Sequence, residues 1–337
     1  MAKAIALLSG GLDSQLAINV IKEQGIEVAC LNFVTLFCRC TSNKGCKLEA
    51  VVAGERLGVP VKVINSGREF LEIVKHPQHG RGKNMNPCID CRIFMFKRAG
   101  EYMRETGADF IFTGEVLGQR PMSQRKDAMR QIDRAAGLTG YVLRPLCAKH
   151  LDPTVPEKDG LVDREKLLSI RGRSRKEQFA LADVFHLKDF PCPAGGCLLT
   201  DPQFGWRLRD LLDHTDPDMN DVHLLKLGRH FRLDDATKVI VGREEGENAK
   251  IETFARAGDL LLDAADVAGP TVLLRGDASG GNVATAARLT VKYGKAHNEP
   301  SAQVVVRRAR TDEGFVVDAS PAAEEEARQL MIMRDGK

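Results

Sequence analysis

The first 113 residues alternate short apolar runs with helix-length segments, and few folds accept that pattern. Residues 4–8, 28–33, 61–64 and 110–113 are short and apolar, as expected of buried strands. Between them, 14–22, 48–57 and 89–106 have helical spacing, and Gly25 and Gly58 stop the first two. Leu16, Ala17, Val20 and Ile21 form one apolar helix face. Strands separated by helix-length segments pair in parallel through crossovers, with helices on both faces of the sheet. The expectation is α/β: a doubly wound, Rossmann-like parallel sheet whose ligands bind outside the carboxyl ends of its strands.

Beyond this region the character changes. Pro153, Pro156, Pro191, Pro193 and Pro202 punctuate residues 150–205. From about residue 215, strands are expected at 238–241, 271–274 and 303–306 and a helix at 285–293, which makes a smaller α+β domain. The tail reads as a solvated helix with Ser320 as cap, Pro321 in the first helical position and Glu324 to Glu326 in its first turns. Hydrophobic residues make up 43% of the chain and charged residues 28%, which excludes disorder throughout. No apolar run approaches the roughly 18 residues of a membrane span. The apolar N-terminal stretch is too short for a secretory signal, so the expectation is a cytoplasmic protein without a membrane partner.

The turn after the first strand carries the chemistry. Ser9-Gly10-Gly11-Leu12-Asp13-Ser14 closes a strand and opens a helix. Its glycines let the backbone approach a ligand, and a helix N-terminus offers unpaired N–H groups to phosphate. Ser9 and Ser14 add hydroxyls. A carboxylate such as Asp13 beside phosphates is reasonable where Mg²⁺ lies between them. The bland alternative is a glycine-rich strand-to-helix turn. The hexapeptide resembles the signature of the PP-loop ATP pyrophosphatases. That resemblance implies ATP cleaved between its α and β phosphates, adenylation of a carbonyl oxygen, and displacement of AMP by a nucleophile. It assigns Ser9, Gly10, Gly11, Asp13 and Ser14 to ATP, and Asp13 to Mg²⁺ and catalysis.

A second segment narrows the family. Gly114-Glu115-Val116-Leu117-Gly118-Gln119, with Ser123-Gln124 after it and Arg144-Pro145-Leu146 further on, is similar to the GE-x-LGQ…SQ…RPL pattern of the tRNA 4-thiouridine synthetases. The resemblance implies that Gly114 and Gln119 lie over the nucleotide. The N-terminal RNA-binding module and rhodanese-like tail of those synthetases have no counterpart in this sequence.

Nine cysteines in a chain of this size point to metal or sulfur chemistry rather than a disulfide framework. Cys88-Ile89-Asp90-Cys91 begins a predicted helix, where a thiolate is favoured. Cys197 follows Gly195-Gly196. Cys91 and Cys197 match the two active cysteines of the tRNA 2-thiouridylases, which share the PP-loop fold. With Cys88 added, three thiolates can hold a [4Fe–4S] cluster and leave one iron open to carry sulfide. The rival is persulfide chemistry on Cys197 with Cys91 resolving it. A third reading is that these cysteines are buried and inert. Cys38, Cys40 and Cys46 read as part of a mobile loop over the nucleotide, or as a metal clip or sulfur relay. Cys192 is a substitute for Cys197 as third ligand, and Cys30 and Cys147 read as core residues.

The net charge of +3, from 49 basic and 46 acidic residues, does not mark a nucleic-acid binder, so local clusters must make that case. Arg120, Arg125, Lys126, Arg130 and Arg134 form one cluster and Arg171, Arg173, Arg175 and Lys176 another, with Arg125, Lys126, Arg130, Arg173 and Arg175 the RNA-binding candidates. Each is either a solvated face or part of an RNA backbone path. Val241-Gly242-Arg243, then 259–270, then Tyr293-Gly294-Lys295-Ala296, is similar in order to the VGRN, DLWLHA-x-DVPG and Y-x-KA elements of the NFACT RNA-binding domain. Asp263 stands where that family has His, and Leu261 where it has Trp. Lys295 is the matching RNA-binding candidate. The alternative for this region is a small α+β dimerisation domain, and a homodimer is compatible with the sequence.

Together these give three segments: an ATP-binding PP-loop domain at 1–150, a connector with the third active cysteine at 151–214, and an RNA-binding domain at 215–337. The expected enzyme is a tRNA sulfurtransferase using ATP, Mg²⁺, a [4Fe–4S] cluster and a sulfur donor (sulfide or a cysteine desulfurase). The expected product is 4-thiouridine, with 2-thiouridine as the alternative. The runner-up is a PP-loop sulfurtransferase acting on a small molecule, with the C-terminal domain as an interaction module.

Overall fold

A computed structural model describes residues 1–38, 46–188, 190 and 197–333, with backbone only for 46–48. The expected loop at 39–45 and the substitute ligand Cys192 lie outside the described residues, as do Cys40 and the side chain of Cys46. The chain divides into two compact units, Met1–Thr200 and Asp201–Lys337.

In the first unit, β1 (Lys3–Leu7), β2 (Glu27–Val34), β3 (Val61–Asn65), β4 (Phe110–Thr113) and β5 (Val142–Leu143) form a sheet in the order β3-β2-β1-β4-β5. Every pair is parallel; Ala6 sits opposite Cys30 on one side and Phe112 on the other. Alternation along β1 divides its side chains between two cores. Ala4 and Ala6 join Leu16, Ile18, Ala53 and Leu57 on one face, where helices Leu12–Lys22 and Cys46–Leu57 pack. Ile5 joins Phe96, Ala99, Ile111 and Ile132 on the other, under helices Cys88–Thr106 and Lys126–Ala135. Helices on both faces make this the doubly wound α/β sheet expected from the sequence. The order reverses between β1 and β4, so the loops leaving these two strands open the crevice where such sheets bind ligands.

In the second unit, β6 (Arg229–Arg232), β7 (Lys238–Val241), β8 (Leu260–Ala264), β9 (Val272–Arg275), β10 (Ala302–Arg308) and β11 (Gly314–Ala319) form an antiparallel sheet in the order β11-β10-β8-β9-β7-β6. Helix Gly280–Tyr293 packs on one face through Val283, Ala287 and Val291 against Phe231, Leu262 and Leu274. Ile251 of helix Glu245–Phe254 packs on the other against Ile240, Leu261 and Leu273. The terminal helix is Glu324–Leu330 with Ala323 as its N-cap, so Ser320 is not the cap. The backbone N–H of Ala322 donates to the Arg288 carbonyl, which ties the chain at Ala322 to the neighbouring helix ahead of the helix start. Among the described residues no helix is long and apolar enough to cross a membrane.

Candidate functional site

The loop after β1 is built to present backbone N–H groups. Gly10 has φ +81°, a conformation that favours glycine, and Gly11 caps the helix without a side chain to occupy its first-turn donors. Ser14 Oγ donates to the Gly11 carbonyl at 2.8 Å, Ser9 Oγ lies 3.3 Å from Ser14 Oγ, and Gln15 Nε2 donates to the Gly10 carbonyl at 2.7 Å. These bonds fix the loop's shape and leave the helix N-terminus available to an anion.

The loop after β4 lies directly against it. A Cβ on Gly114 would fall 2.4 Å from the Asp13 carbonyl carbon and 2.5 Å from the Ser14 nitrogen, so only glycine lets these backbones meet. Gln119 Nε2 donates to Asp13 Oδ2 at 2.8 Å, and buried Gln178 orients it by donating to Gln119 Oε1 at 3.2 Å. Arg175 also reaches Asp13 Oδ2, at 3.3 Å. The backbone delivers it there: Gly172 N–H donates to the Leu117 carbonyl at 2.7 Å, and Leu117 forms a bridge with Arg171. Asp13 Oδ1 is buried and has no hydrogen-bond partner among the described residues. A buried carboxylate oxygen left over beside open N–H donors fits a divalent cation coordinated with phosphate.

Behind this loop lies a charged network. Glu115 Oε2 accepts from Arg144 Nε at 3.0 Å, Glu115 Oε1 pairs with Arg92 at 3.3 Å, and Arg144 holds Asp133 bidentately at 2.8 and 2.9 Å. Burial alone would raise the Glu115 carboxyl, but Arg92 and Arg144 hold it below the ordinary glutamate value. Arg144 is the RPL arginine, and its role is to fix the Gly114–Gln119 loop from beneath. Arg92 extends the network towards the cysteines.

Four thiols are brought together. Cys91 is within electrostatic range of Cys88, Cys197 and Cys38. Cys88 and Cys91 stand one turn apart at the start of helix Cys88–Thr106. Cys197 is fastened to them by its own chain: Met85 N–H donates to the Leu199 carbonyl at 3.1 Å, and Asn84 Nδ2 donates to the Thr200 carbonyl at 2.7 Å. Asp90, between the two helix cysteines, is held by His79 at 2.7 Å, and Asn86 Nδ2 donates to Cys88 Sγ at 2.9 Å. The helix start was expected to favour thiolate, but burial wins. It pushes the Cys91 thiol up to about 12, and the neighbouring thiols add to the rise against Arg92. Cys88 is raised for the same first reason, with Arg92 and Arg120 opposing. Burial also pushes Cys30 up to about 12 and Cys147 up to about 11, and both are buried in the core.

Among the described residues, no group of three His, Cys, Asp or Glu is placed to hold a single metal ion. A cubane attaches its thiolates to different irons, so its ligands are spread more widely than those of one ion. Thiols massed beside Arg92 and Arg120, which would offset an anionic cluster, fit that larger group. Arg120 also links the two centres, since charge interactions reach it from Asp13 and from Cys88.

The remaining expected site residues lie elsewhere. Arg125 pairs with Asp127 at 2.9 Å, and Lys126 and Arg130 share Asp152, all on the surface. Arg173 is exposed. In the second unit Lys295 is exposed, Arg229 stacks over Tyr293 at 4.7 Å, and Asp263 accepts from Thr271 at 2.7 Å while pairing with Arg307 at 2.7 Å. Arg92 and Gln178 were not anticipated as site residues, and Arg120 was read only as a member of a basic cluster. Arg92 is adjacent in sequence to Cys91 and Arg120 to Gln119, which was the available signal.

Comparison with known proteins follows the same division. Residues 1–153 match the family described as "Thiamine biosynthesis protein (ThiI)", and residues 228–331 match "NFACT protein RNA binding domain". A tRNA-specific 2-thiouridylase, MnmA 2, of Clostridium botulinum (strain Loch Maree / Type A3) is 29% identical over 168 residues, covering 46% of this chain and 46% of that protein. The tRNA-specific 2-thiouridylase MnmA of Listeria innocua serovar 6a is 23% identical over 240 residues, covering 68% of this chain and 62% of the relative. Among solved structures, a 4-thiouridine synthetase–RNA complex with bound ATP is 21% identical, with 66% of this chain and 52% of that one covered and a TM-score of 0.37. The chain spans about half the length of the first of these curated relatives.

Proposed function

Starting from a chain that belongs to the ThiI-like PP-loop family of tRNA thiouridylases in its first unit and to the NFACT RNA-binding family in its second, we propose that it thiolates a uridine of tRNA at the expense of ATP. The observation that carries this reading is the Asp13 loop held against Gly114 and Gln119 in a unit that also ties Cys197 to the Cys88–Cys91 segment through the Met85–Leu199 and Asn84–Thr200 bonds.

The first-turn N–H groups after Gly11 would hold phosphates of ATP, and Asp13, with its unpartnered Oδ1, would hold a Mg²⁺ that offsets their charge. Gln119 and Arg175 hold the Asp13 carboxylate in position. The uridine carbonyl oxygen attacks the α phosphorus, an O–P bond forms, and pyrophosphate leaves with the bond to the β phosphate broken. A sulfur nucleophile then forms a C–S bond at the same carbon, and AMP departs with the oxygen. Arg120, whose charge interacts with that of Asp13, offsets charge on phosphate as it develops. Cys88, Cys91 and Cys197 would hold a [4Fe–4S] cluster, which when bound would carry the sulfur that replaces the oxygen. Sulfide or a cysteine desulfurase is the donor. Persulfide on Cys197 is the second route.

The position modified is first C4, because the Gly114–Gln119 segment follows the 4-thiouridine synthetase pattern. C2 is the second reading, because curated relatives bear the 2-thiouridylase name. Thionucleoside profiling of tRNA from a deletion strain tests the reading. Loss of one thiouridine species, restored by the intact gene and not by an Asp13→Asn copy, is expected. An unchanged profile in the deletion strain would send the reading to its small-molecule alternative. For the cluster, anaerobically purified protein should contain about four irons per chain. A colourless, iron-free protein that still thiolates tRNA would give the persulfide route its place.

A further inference from the structure

Cys38 has no part in the mechanism above, yet the backbone sets it against another thiol of the group. It forms an isolated antiparallel bridge with Cys197, so the two residues stand directly opposite each other. The hydrogen bond beside them, from Leu198 N–H to the Phe37 carbonyl at 2.9 Å, tells which kind of pair this is. A bond between the residue before one partner and the residue after the other marks the non-hydrogen-bonded type. In that type the Cα atoms lie about 4.5 Å apart and the side chains leave on the same face. Disulfides join Cα atoms about 4.4–6.8 Å apart, so the register alone brings these cysteines within bonding reach.

Both ends of the bridge are anchored. Phe37 is fully buried, with its ring 5.8 Å from that of Phe70. The other end is held by the bonds from Met85 and Asn84 to Leu199 and Thr200. Cys38 and Cys197 both keep partial solvent exposure, so a small oxidant can reach them. Thr35 Oγ1 lies 3.6 Å from Cys38 Sγ.

We propose that Cys38 and Cys197 form a dithiol–disulfide couple, and that its oxidation withdraws Cys197 from the sulfur-handling group. The functional meaning of that withdrawal rests on the reading given above, whereas the bond itself does not. With glutathione disulfide as oxidant, one cysteine thiolate attacks a glutathione sulfur and one glutathione leaves as thiol. The second cysteine thiolate then attacks the mixed disulfide and releases the other. Two cysteine protons and two electrons pass to glutathione, and one S–S bond replaces another.

The test uses the full chain, reduced and freed of metal by chelation, with neither ATP nor tRNA present. It is equilibrated in glutathione buffers of rising disulfide fraction, alkylated, and mapped by mass spectrometry. The expected result is a Cys38–Cys197 linked peptide that accounts for the loss of alkylatable Cys197, present equally in Cys91→Ser. In Cys38→Ser, Cys197 is expected as the alkylated thiol or its glutathione adduct, never linked within the chain. Linkage of Cys197 to Cys88 or Cys91 in the wild type would overturn the proposal. So would both Cys38 and Cys197 remaining alkylatable at the most oxidising ratio. Because no thiolation is measured, failure here leaves the tRNA reading standing, and a negative tRNA profile leaves the bond to be judged by its own map.

Discussion

At the residue scale the sharpest demand falls on Gly114 and Asp13. Gly114→Ala places a methyl group 2.4 Å from backbone that has nowhere to go without parting the two loops. Overpacking of this kind costs about 1–3 kcal/mol. The displacement falls on Asp13 itself, so ATP affinity measured by calorimetry should drop at least about tenfold, the equivalent of about 1.4 kcal/mol. Wild-type ATP affinity in Gly114→Ala would remove the close approach from the site. Asp13→Asn keeps the shape and the bond from Gln119 but removes the charge offered to Mg²⁺. Pyrophosphate release should fall by roughly 100-fold or more, in line with the loss of a transition-state electrostatic contact. The glycines and Asp13 were legible in the sequence because their chemistry is local: a turn, a helix start, a carboxylate. Arg175 was not, because its approach to Asp13 depends on the Leu117–Arg171 bridge between segments more than 50 residues apart. In sequence it reads as one basic residue among several.

At the element scale, β4 and the helix Cys88–Thr106 are coupled through Glu115, Arg92 and Arg144, and that coupling has a pH signature. The Glu115 carboxyl is held below its ordinary value of 4.5, so its charged form favours the folded state. Its contribution is fully present above about pH 4.5 and is lost as pH falls through the lower folded value. The stability difference between wild type and Glu115→Gln, from urea unfolding followed by circular dichroism, should be largest near neutrality and shrink below about pH 4. A difference constant with pH would show that Glu115 carries no linked charge. Arg144→Met takes both hydrogen bonds from half-buried Asp133 and leaves Arg92 as the remaining cation on buried Glu115, and should cost about 3–5 kcal/mol in the first unit. Element positions were largely readable in the first unit, where β4 follows from its apolar run and the first helices from their spacing; in the second, β7, β9 and β10 were readable, whereas β6, β8 and helix Glu245–Phe254 were not anticipated. The exposed edge strand β11 was missed because Phe315 and Val316 face solvent, so no buried stripe marks it. The early start of helix Gly280–Tyr293 was hidden by two glycines, which disfavour helix by propensity but are tolerated in a first turn.

At the scale of the whole molecule the chain divides between Thr200 and Asp201, and the charges explain why a cut belongs there. Asp210, on helix Pro202–His214, pairs with Arg232 at 2.7 and 3.0 Å and with buried Lys238 at 3.3 Å. Burial already pushes the Lys238 ammonium down to about 8, and removing Asp210 would leave it without that partner. A fragment beginning after residue 214 should therefore be destabilised, whereas 201–337 keeps the pairing and its own core of Phe231, Leu262, Leu274 and Leu289. The sole tryptophan, Trp206, lies on the same helix and reports on this unit alone. Its fluorescence transition in urea should coincide in the full chain, in fragment 201–337 and in the Arg144→Met variant. A shifted transition in either would show that the units do not fold separately. Once folded, fragment 201–337 should bind tRNA with an affinity that falls steeply as salt rises, as expected where lysine and arginine meet phosphate. Fragment 1–200 should retain ATP affinity and lose at least about tenfold in tRNA affinity, about 1.4 kcal/mol. If 1–200 binds tRNA as tightly as the full chain at matched salt, the second unit is not the RNA grip. The basic surface around Arg125, Lys126, Arg130 and Arg173 would then have to carry the substrate.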